Sequence, residues 1–191
     1  MRIGYAVCGS FCTHKYVLPV MERLIAEGHE ILPIFSEITA GTDTRFGTAK
    51  DFTEKVTALT GHAPLCSVRE AEAVGPKKLT DIMVISPCTG NTLSKLANGI
   101  TDSSVTMAAK ANLRNGRPLL LAVATNDALG ASAQNIGRLM NTRNVFFVPM
   151  AQDDPVGKPT SVIAAFELIP EALKAAAEGK QIMPVYLPVK G

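Results

Sequence analysis

The chain has 191 residues, 47% hydrophobic and 19% charged, which suits one domain with a full buried core and excludes a disordered polypeptide. A formal net charge of +2, no tryptophan and no Lys/Arg run exclude a nucleic-acid surface. No window approaches the ~18 apolar residues that a spanning helix needs, so no membrane association is expected.

Strand-like and helix-like patterns alternate along the chain. Arg2–Cys8 reads as a first strand and Gly9–Thr13 as a turn. Lys15–Glu27 reads as a helix with Leu18, Met21, Leu24 and Ile25 on one face and Gly28 just past its end. Glu30–Phe35 is a second strand, which Pro33 moves toward a sheet edge. A polar connection, Ser36–Phe46, leads to a helix over Gly47–Leu59, closed by Gly61. Cys66–Val68 is a short strand and Val68–Val74 a short helix. Asp81–Ile85 is a strand, followed by a helix over Asn91–Asn98 stopped at Gly99. Thr101 or Asp102 caps the next helix, Ser103–Asn115. Pro118–Ala124 is apolar throughout, as in a strand covered on both faces. Ser132–Asn141 is a helix, Val145–Val148 a short strand, Pro149–Thr160 a polar loop and Ser161–Glu178 a long Ala-rich helix. This βαβα rhythm predicts an α/β fold with one parallel sheet between two helical layers. It places the domain at residues 1–180 and an extended C-terminal tail at 181–191.

In such a fold, ligands sit beyond the carboxyl ends of the strands, where the strand order reverses. Small polar residues mark those ends: Gly9-Ser10-Phe11, Ser36, Ser86 to Thr92, and Thr125-Asn126-Asp127. Alone, each also reads as a turn or a helix cap. Their convergence at one sheet edge is what makes a site. GxGxxG is absent after the first strand, and GxxxxGK[ST] is absent altogether. A mononucleotide with one phosphate fits better, with Gly9 and Ser10 offering donors at the first helix start. Cys8, Cys12, Cys66 and Cys88 form no CxxC pair and no Cys/His metal spacing. They read as reduced cytoplasmic thiols, and no metal is expected. The start, MRIGYAVCGSF, is too short an apolar stretch for a secretory signal.

Residues 87–103, PCTGNTLSKLANGITDS, resemble the P-x-S-A-N-T-x-x-K-x-x-x-G-x-x-D signature of the homo-oligomeric flavin-containing cysteine decarboxylase-like superfamily. Pro87, Asn91, Thr92, Lys95, Gly99 and Asp102 fall on it in register. Gly9-Ser10 and Ser36 match positions where that superfamily holds the flavin phosphate and ring. The resemblance implies a Rossmann-like sheet of the flavoprotein type. It also implies an FMN site formed by Gly9, Ser10, Phe11, Ser36, Ser86, Pro87, Cys88, Thr89, Asn91, Thr92 and Thr125. It further implies assembly as a trimer or dodecamer.

The decarboxylases carry P-x-M-N-x-x-M after the fourth strand, where this chain reads Val123-Ala124-Thr125-Asn126-Asp127-Ala128-Leu129 and keeps only the Asn. Their C-terminal clamp cysteine has no counterpart, since the last cysteine here is Cys88. The glutamate and arginine residues of the flavin prenyltransferase branch are not placed either. CGSFCTH, LLLAVATNDALG and QDDPVGKPTSVIA instead resemble a branch found in spore-forming bacteria. That branch implies a flavin-binding subunit in the mother-cell cytoplasm. It would work with a separate A-type subunit to oxidise a dihydropyridine dicarboxylate to pyridine-2,6-dicarboxylate. Asn91, Asn126 and Lys158 are the candidate contacts to the substrate carboxylates. No catalytic residue is assigned, and NAD(P) belongs, if anywhere, on the partner. The alternatives are a non-catalytic subunit that stabilises the A-type partner or supplies flavin to it, and a self-contained flavin-dependent decarboxylase. Three residues stay open: Lys158 is a ligand contact or a solvated lysine, Lys95 faces a ligand or pairs with a carboxylate, and His14 faces the phosphate or is a neutral cap.

Overall fold

Five of the six residues of β1 (Arg2–Val7) are buried, and their side chains alternate between two apolar layers. Ile3, Tyr5 and Val7 face one layer and Ala6 the other, the period of two that a pleated strand imposes. The computed structural model describes residues 1–188. After β1 come a 3-10 turn (Phe11–Tyr16), α1 (Val17–Ala26), β2 (Glu30–Phe35), α2 (Glu37–Gly41), α3 (Ala49–Thr60) and α4 (Val68–Glu72). Then follow β3 (Ile82–Cys88), α5 (Gly90–Ala97), α6 (Ser104–Arg114), β4 (Leu119–Thr125), α7 (Ala133–Met140) and β5 (Val145–Phe147). The last elements are β6 (Met150–Ala151), β7 (Val162–Ala164) and α8 (Ile169–Ala177).

The sheet runs β2-β1-β3-β4, all parallel. β5 pairs in parallel with Leu119–Leu121 of β4, while β7 pairs antiparallel with Ala124 and Thr125. β6 lies outside β7. Helices α1 and α8 cover one face through Val17, Met21, Leu24, Ile169 and Leu173; α4 to α7 cover the other through Ala71, Leu93, Val105, Ile136 and Leu139. Fully burying one such Leu or Ile stabilises the fold by about 1.5–3 kcal/mol. The order reverses between β2-β1 and β3-β4, so the crevice lies beyond the carboxyl ends of β1 and β3. Among the described residues, no helix is long and apolar enough to cross a membrane.

Several elements differ from the sequence reading. The expected helix over Ser161–Glu178 is a strand followed by a shorter helix. β-Branched Val162 and Ile163 pair with β4, and Pro170, which lacks an N–H, belongs in a helix's first turn, so α8 starts at Ile169. The sheet is therefore mixed at that edge rather than wholly parallel. The expected helix from Lys15 is a 3-10 turn up to Tyr16, with α1 starting at Val17. The polar connection Ser36–Phe46 contains α2, and the loop Pro149–Thr160 contains β6. The short strand at Cys66–Val68 reduces to one bridge between Leu65 and Ile34 beside edge strand β2. α6 is capped by Ser103, through a capping box with Thr106, and not by Thr101 or Asp102. β3 runs on past Ile85 to Cys88, with a register shift against β4 and a cis peptide at Ser86–Pro87. In the C-terminal tail, Tyr186 bridges Met150 of β6. Residues 189–191 lie outside the described residues.

Candidate functional site

A cleft of about 380 Å³ opens at the crevice. The β1 end supplies Gly9 and Ser10, with Cys12 and Thr13 just after them; the β3 end supplies Thr89; the β4 end supplies Thr125, Asn126 and Asp127. The far wall is Asp153, Lys158 and Ser161 with Val162 and Ile163 of β7. Three of the expected strand ends therefore meet in one concavity. The β2 end, Ser36, is not part of its lining.

The turn after β1 is tight, with the Ser10 N–H on the Cys8 carbonyl at 2.9 Å and the Thr13 hydroxyl on the Ser10 carbonyl at 2.7 Å. Among the described residues, the half-buried Ser10 hydroxyl makes no cap bond and is left to a ligand or water. Thr89 caps α5, accepting from the Thr92 N–H at 3.3 Å. The N–H groups of Gly90 and Asn91 belong to the first helical turn and have no intrahelical acceptor. Of the charged lining residues, Lys158 is a cation and Asp127 and Asp153 are carboxylates, and Lys158 Nζ lies 3.4 Å from Asp153. An anion held here is therefore held by N–H and O–H donors and not by net positive charge. A half-buried glycine-serine turn beside a helix N-terminus is a donor set that fits a flavin mononucleotide phosphate.

The remaining expected residues lie elsewhere. Phe11 packs against His14 at 5.0 Å between ring centroids and lines a smaller pocket with Phe46 and Phe52 on the other side of the turn. Ser36 caps α2 by accepting from the Thr39 N–H. The Ser86 hydroxyl is buried and accepts from the Tyr5 hydroxyl at 3.1 Å. Pro87 and Cys88 are buried in β3. Thr92 is buried and donates to Cys8 Sγ at 3.2 Å, outside the cleft lining. Asn91 is exposed at the start of α5 and lies outside the cleft lining. Lys95 pairs with Asp102 at 2.8 Å, so it serves the structural role. Burial pushes the Cys8 thiol up to about 11 and Cys88 well above the usual thiol value. Both stay protonated at neutral pH and are inert as nucleophiles.

The 3-10 turn holds His14 with Nε2 2.9 Å from the Cys8 carbonyl and its ring stacked on Phe52 at 4.9 Å. Burial pulls its pKa below the usual value, against the opposing pull of the Cys8 carbonyl. The unfolded chain therefore takes up a proton first as pH falls through about 6.5, and stability is lost on acidification below that value. Urea midpoints compared at pH 7 and pH 5.5 are expected to drop more for the wild type than for His14→Gln.

A cluster that the sequence reading did not single out underlies the cleft. Asp127 Oδ1 accepts from the Ser132 hydroxyl at 2.9 Å and from the Thr125 hydroxyl. All three side chains close over Gly90, where an added Cβ would lie 2.7 Å from Asp127 Oδ1 and 2.8 Å from each hydroxyl oxygen. The sequence carried one signal: Gly90 stands where the signature has alanine. Across the cleft, Ser161 Oγ lies 3.4 Å from Asn126 Oδ1, and the Thr160 hydroxyl donates to the Asn126 carbonyl at 2.6 Å. Among the described residues, the Asn126 amide N–H groups have no partner and are left for a ligand.

The fold and cleft are those of one protein class: the chain belongs to the Flavoprotein family, whose model matches residues 1–174. Over 184 residues it is 46% identical to the B subunit of dipicolinate synthase from Bacillus subtilis (strain 168), across 96% of this chain and 92% of that protein. It is also similar to the crystal structure of the dipicolinate synthase B subunit from Bacillus halodurans, with TM-score 0.90 and 44% identity over 98% of this chain and 96% of that one. The FMN-dependent cysteine decarboxylase SpaF has TM-score 0.64 and 26% identity, covering 93% and 97% of the two chains.

Proposed function

We propose that this chain is the flavin-binding subunit of a dipicolinate synthase. It works with a separate A subunit in the mother-cell cytoplasm during sporulation, and FMN is its cofactor. The single observation that carries the reading is the donor-lined cleft of Gly9, Ser10, Thr89 and Asn126 at the switch point, in a chain 46% identical to a B subunit of dipicolinate synthase. The FMN-dependent neighbour SpaF supports the choice of flavin. Bound FMN supplies a two-electron acceptor for a dihydrodipicolinate-type precursor, whose oxidation gives pyridine-2,6-dicarboxylate. The chain's own residues bind and orient. The Ser10 turn and Thr89 at the α5 start hold the phosphate, and the Asn126 amide donates to a substrate carboxylate, with Lys158, which also pairs with Asp153, as the second contact. Any NAD(P) sits on the partner. A trimer or dodecamer is the assembly we infer, from likeness to the superfamily.

The test is reconstitution. Dehydrogenation by the isolated A subunit is expected to be slow, and to rise at least tenfold with this chain and FMN. A variant with Asn126→Asp, which sets a carboxylate against a carboxylate, is expected to lose at least tenfold in substrate affinity while still binding the A subunit. Full activity of the isolated partner would reject the catalytic role and leave the non-catalytic one.

A further inference from the structure

The hydroxyl of Thr125 has one proton, and it is already committed to Asp127 Oδ1. The Ser132 hydroxyl is committed to the same oxygen, and Ser132 is buried beneath it. Of the two hydroxyls, Thr125 lines the cleft, and it therefore presents only lone pairs to whatever binds there. The next residue, Asn126, presents the opposite polarity, since its Oδ1 faces the Ser161 hydroxyl and its amide N–H groups remain. An acceptor beside a donor matches a ligand with a ring N–H beside a carboxylate. The lining's two carboxylates and single ammonium favour a donor-bearing ring further.

We propose that Thr125, held as an obligate acceptor by Asp127, is a specificity-determining residue that selects a partly reduced nitrogen heterocycle carrying an N–H next to a carboxylate. This rests on the reading above that the cleft takes a cyclic dicarboxylate. An aromatic pyridine puts a nitrogen lone pair at the same place, where it meets the Thr125 lone pairs. Substrate is held and product is expelled by the same atom. Asp127 is the positioning residue, since it consumes the proton that would otherwise let Thr125 donate.

The test is calorimetric binding of piperidine-2,6-dicarboxylate, whose ring nitrogen carries hydrogens, against pyridine-2,6-dicarboxylate, whose ring nitrogen does not. Both are titrated into the FMN-treated full chain. The wild type is expected to prefer the piperidine by at least ~10-fold, the factor of one hydrogen bond of about 1.4 kcal/mol. The piperidine's charge adds a preference of its own toward Asp127 and Asp153, so Thr125→Val isolates the hydroxyl. That variant is expected to lose most of the preference by weakening piperidine binding without weakening pyridine binding. Thr125→Ser, which keeps the hydroxyl, is expected to retain it. Asp127→Ala, which removes the acceptor and frees the Thr125 proton to donate, is expected to improve pyridine binding relative to piperidine. Equal affinities in the wild type, or an undiminished preference in Thr125→Val, overturn the proposal and leave the flavin-subunit reading standing. If neither compound binds while FMN does, the dicarboxylate assignment falls, and the proposal with it.

Discussion

Gly90→Ala is expected to destabilise the protein by about 1–3 kcal/mol and to weaken FMN binding, although alanine is the better helix former. Gly90 opens α5, and the atoms above it are the oxygens of Thr125, Asp127 and Ser132. A side-chain tip can normally swing away from an intruding methyl. These three cannot do so independently, because Asp127 Oδ1 binds both hydroxyls. Moving one breaks a hydrogen bond at the bottom of the cleft. Gly137 in α7 provides the contrast, since none of the described residues comes within 4 Å of a Cβ added there, its own helix backbone aside. Gly137→Ala is expected to stabilise by roughly 0.5–1 kcal/mol through helix propensity. Urea unfolding of the two variants side by side checks the account: one chemical change with opposite signs. A neutral or stabilising Gly90→Ala would show that the cluster is not rigid.

Asn112→Leu is expected to cost more, roughly 2–5 kcal/mol, while keeping side-chain size. Asn112 is fully buried at the end of α6 and clamps the connection into β4. Its Oδ1 accepts from the buried Thr80 hydroxyl at 3.0 Å, and its Nδ2 donates to the carbonyls of Arg117 and Pro118 at 3.2 and 2.8 Å. Leucine leaves the Thr80 hydroxyl and the Arg117 carbonyl short of partners, although the Pro118 carbonyl keeps its bond from the Met83 N–H. Thr80→Val removes one member alone and is expected to cost about 1–2 kcal/mol. The double variant should cost less than the sum of the singles, because the two side chains share a bond. Denaturant midpoints of the three variants give the coupling directly. Additive losses would show that the Thr80–Asn112 bond contributes nothing.

The sheet's centre was legible because its strands have covered faces. Ile82–Ile85 and Leu119–Ala124 are apolar runs between turn residues, and a strand buried on both faces must look that way. Pro33 marked the edge position of β2 by its missing N–H. The β7 edge was hidden because Ser161–Glu178 is rich in alanine, a good helix former, and only two β-branched residues announce the strand. Pairing with β4 overrode local preference there. The strand-end rule brought out Gly9, Ser10, Thr89, Thr125 and Asn126, because parallel topology dictates where carboxyl ends gather. Ser86 and Cys88 belong to the same sequence run but are buried in opposite apolar layers, Ser86 against Tyr5 and Cys88 in the layer of Ile85, across the register shift that interrupts the pleat's alternation between them. The link between Asp127 and Ser132 was hidden because a tertiary hydrogen bond has no periodic signature.

Placement of the site follows from that topology. β1 and β3 end side by side, and the turns after them bring Gly9, Ser10 and Thr89 to one cleft. The 152–161 segment, stitched to Asn126 by Thr160 and Ser161, closes the far wall and carries Lys158 to it.

The flavin assignment is tested most directly by the absorption spectrum of the purified chain during titration with FMN, alone and with the A subunit. We predict perturbed flavin bands that saturate with one FMN per chain, and at least tenfold weaker binding in Ser10→Asp, which sets a negative charge against the phosphate. A spectrum equal to the sum of free FMN and protein, with and without the A subunit, would contradict it.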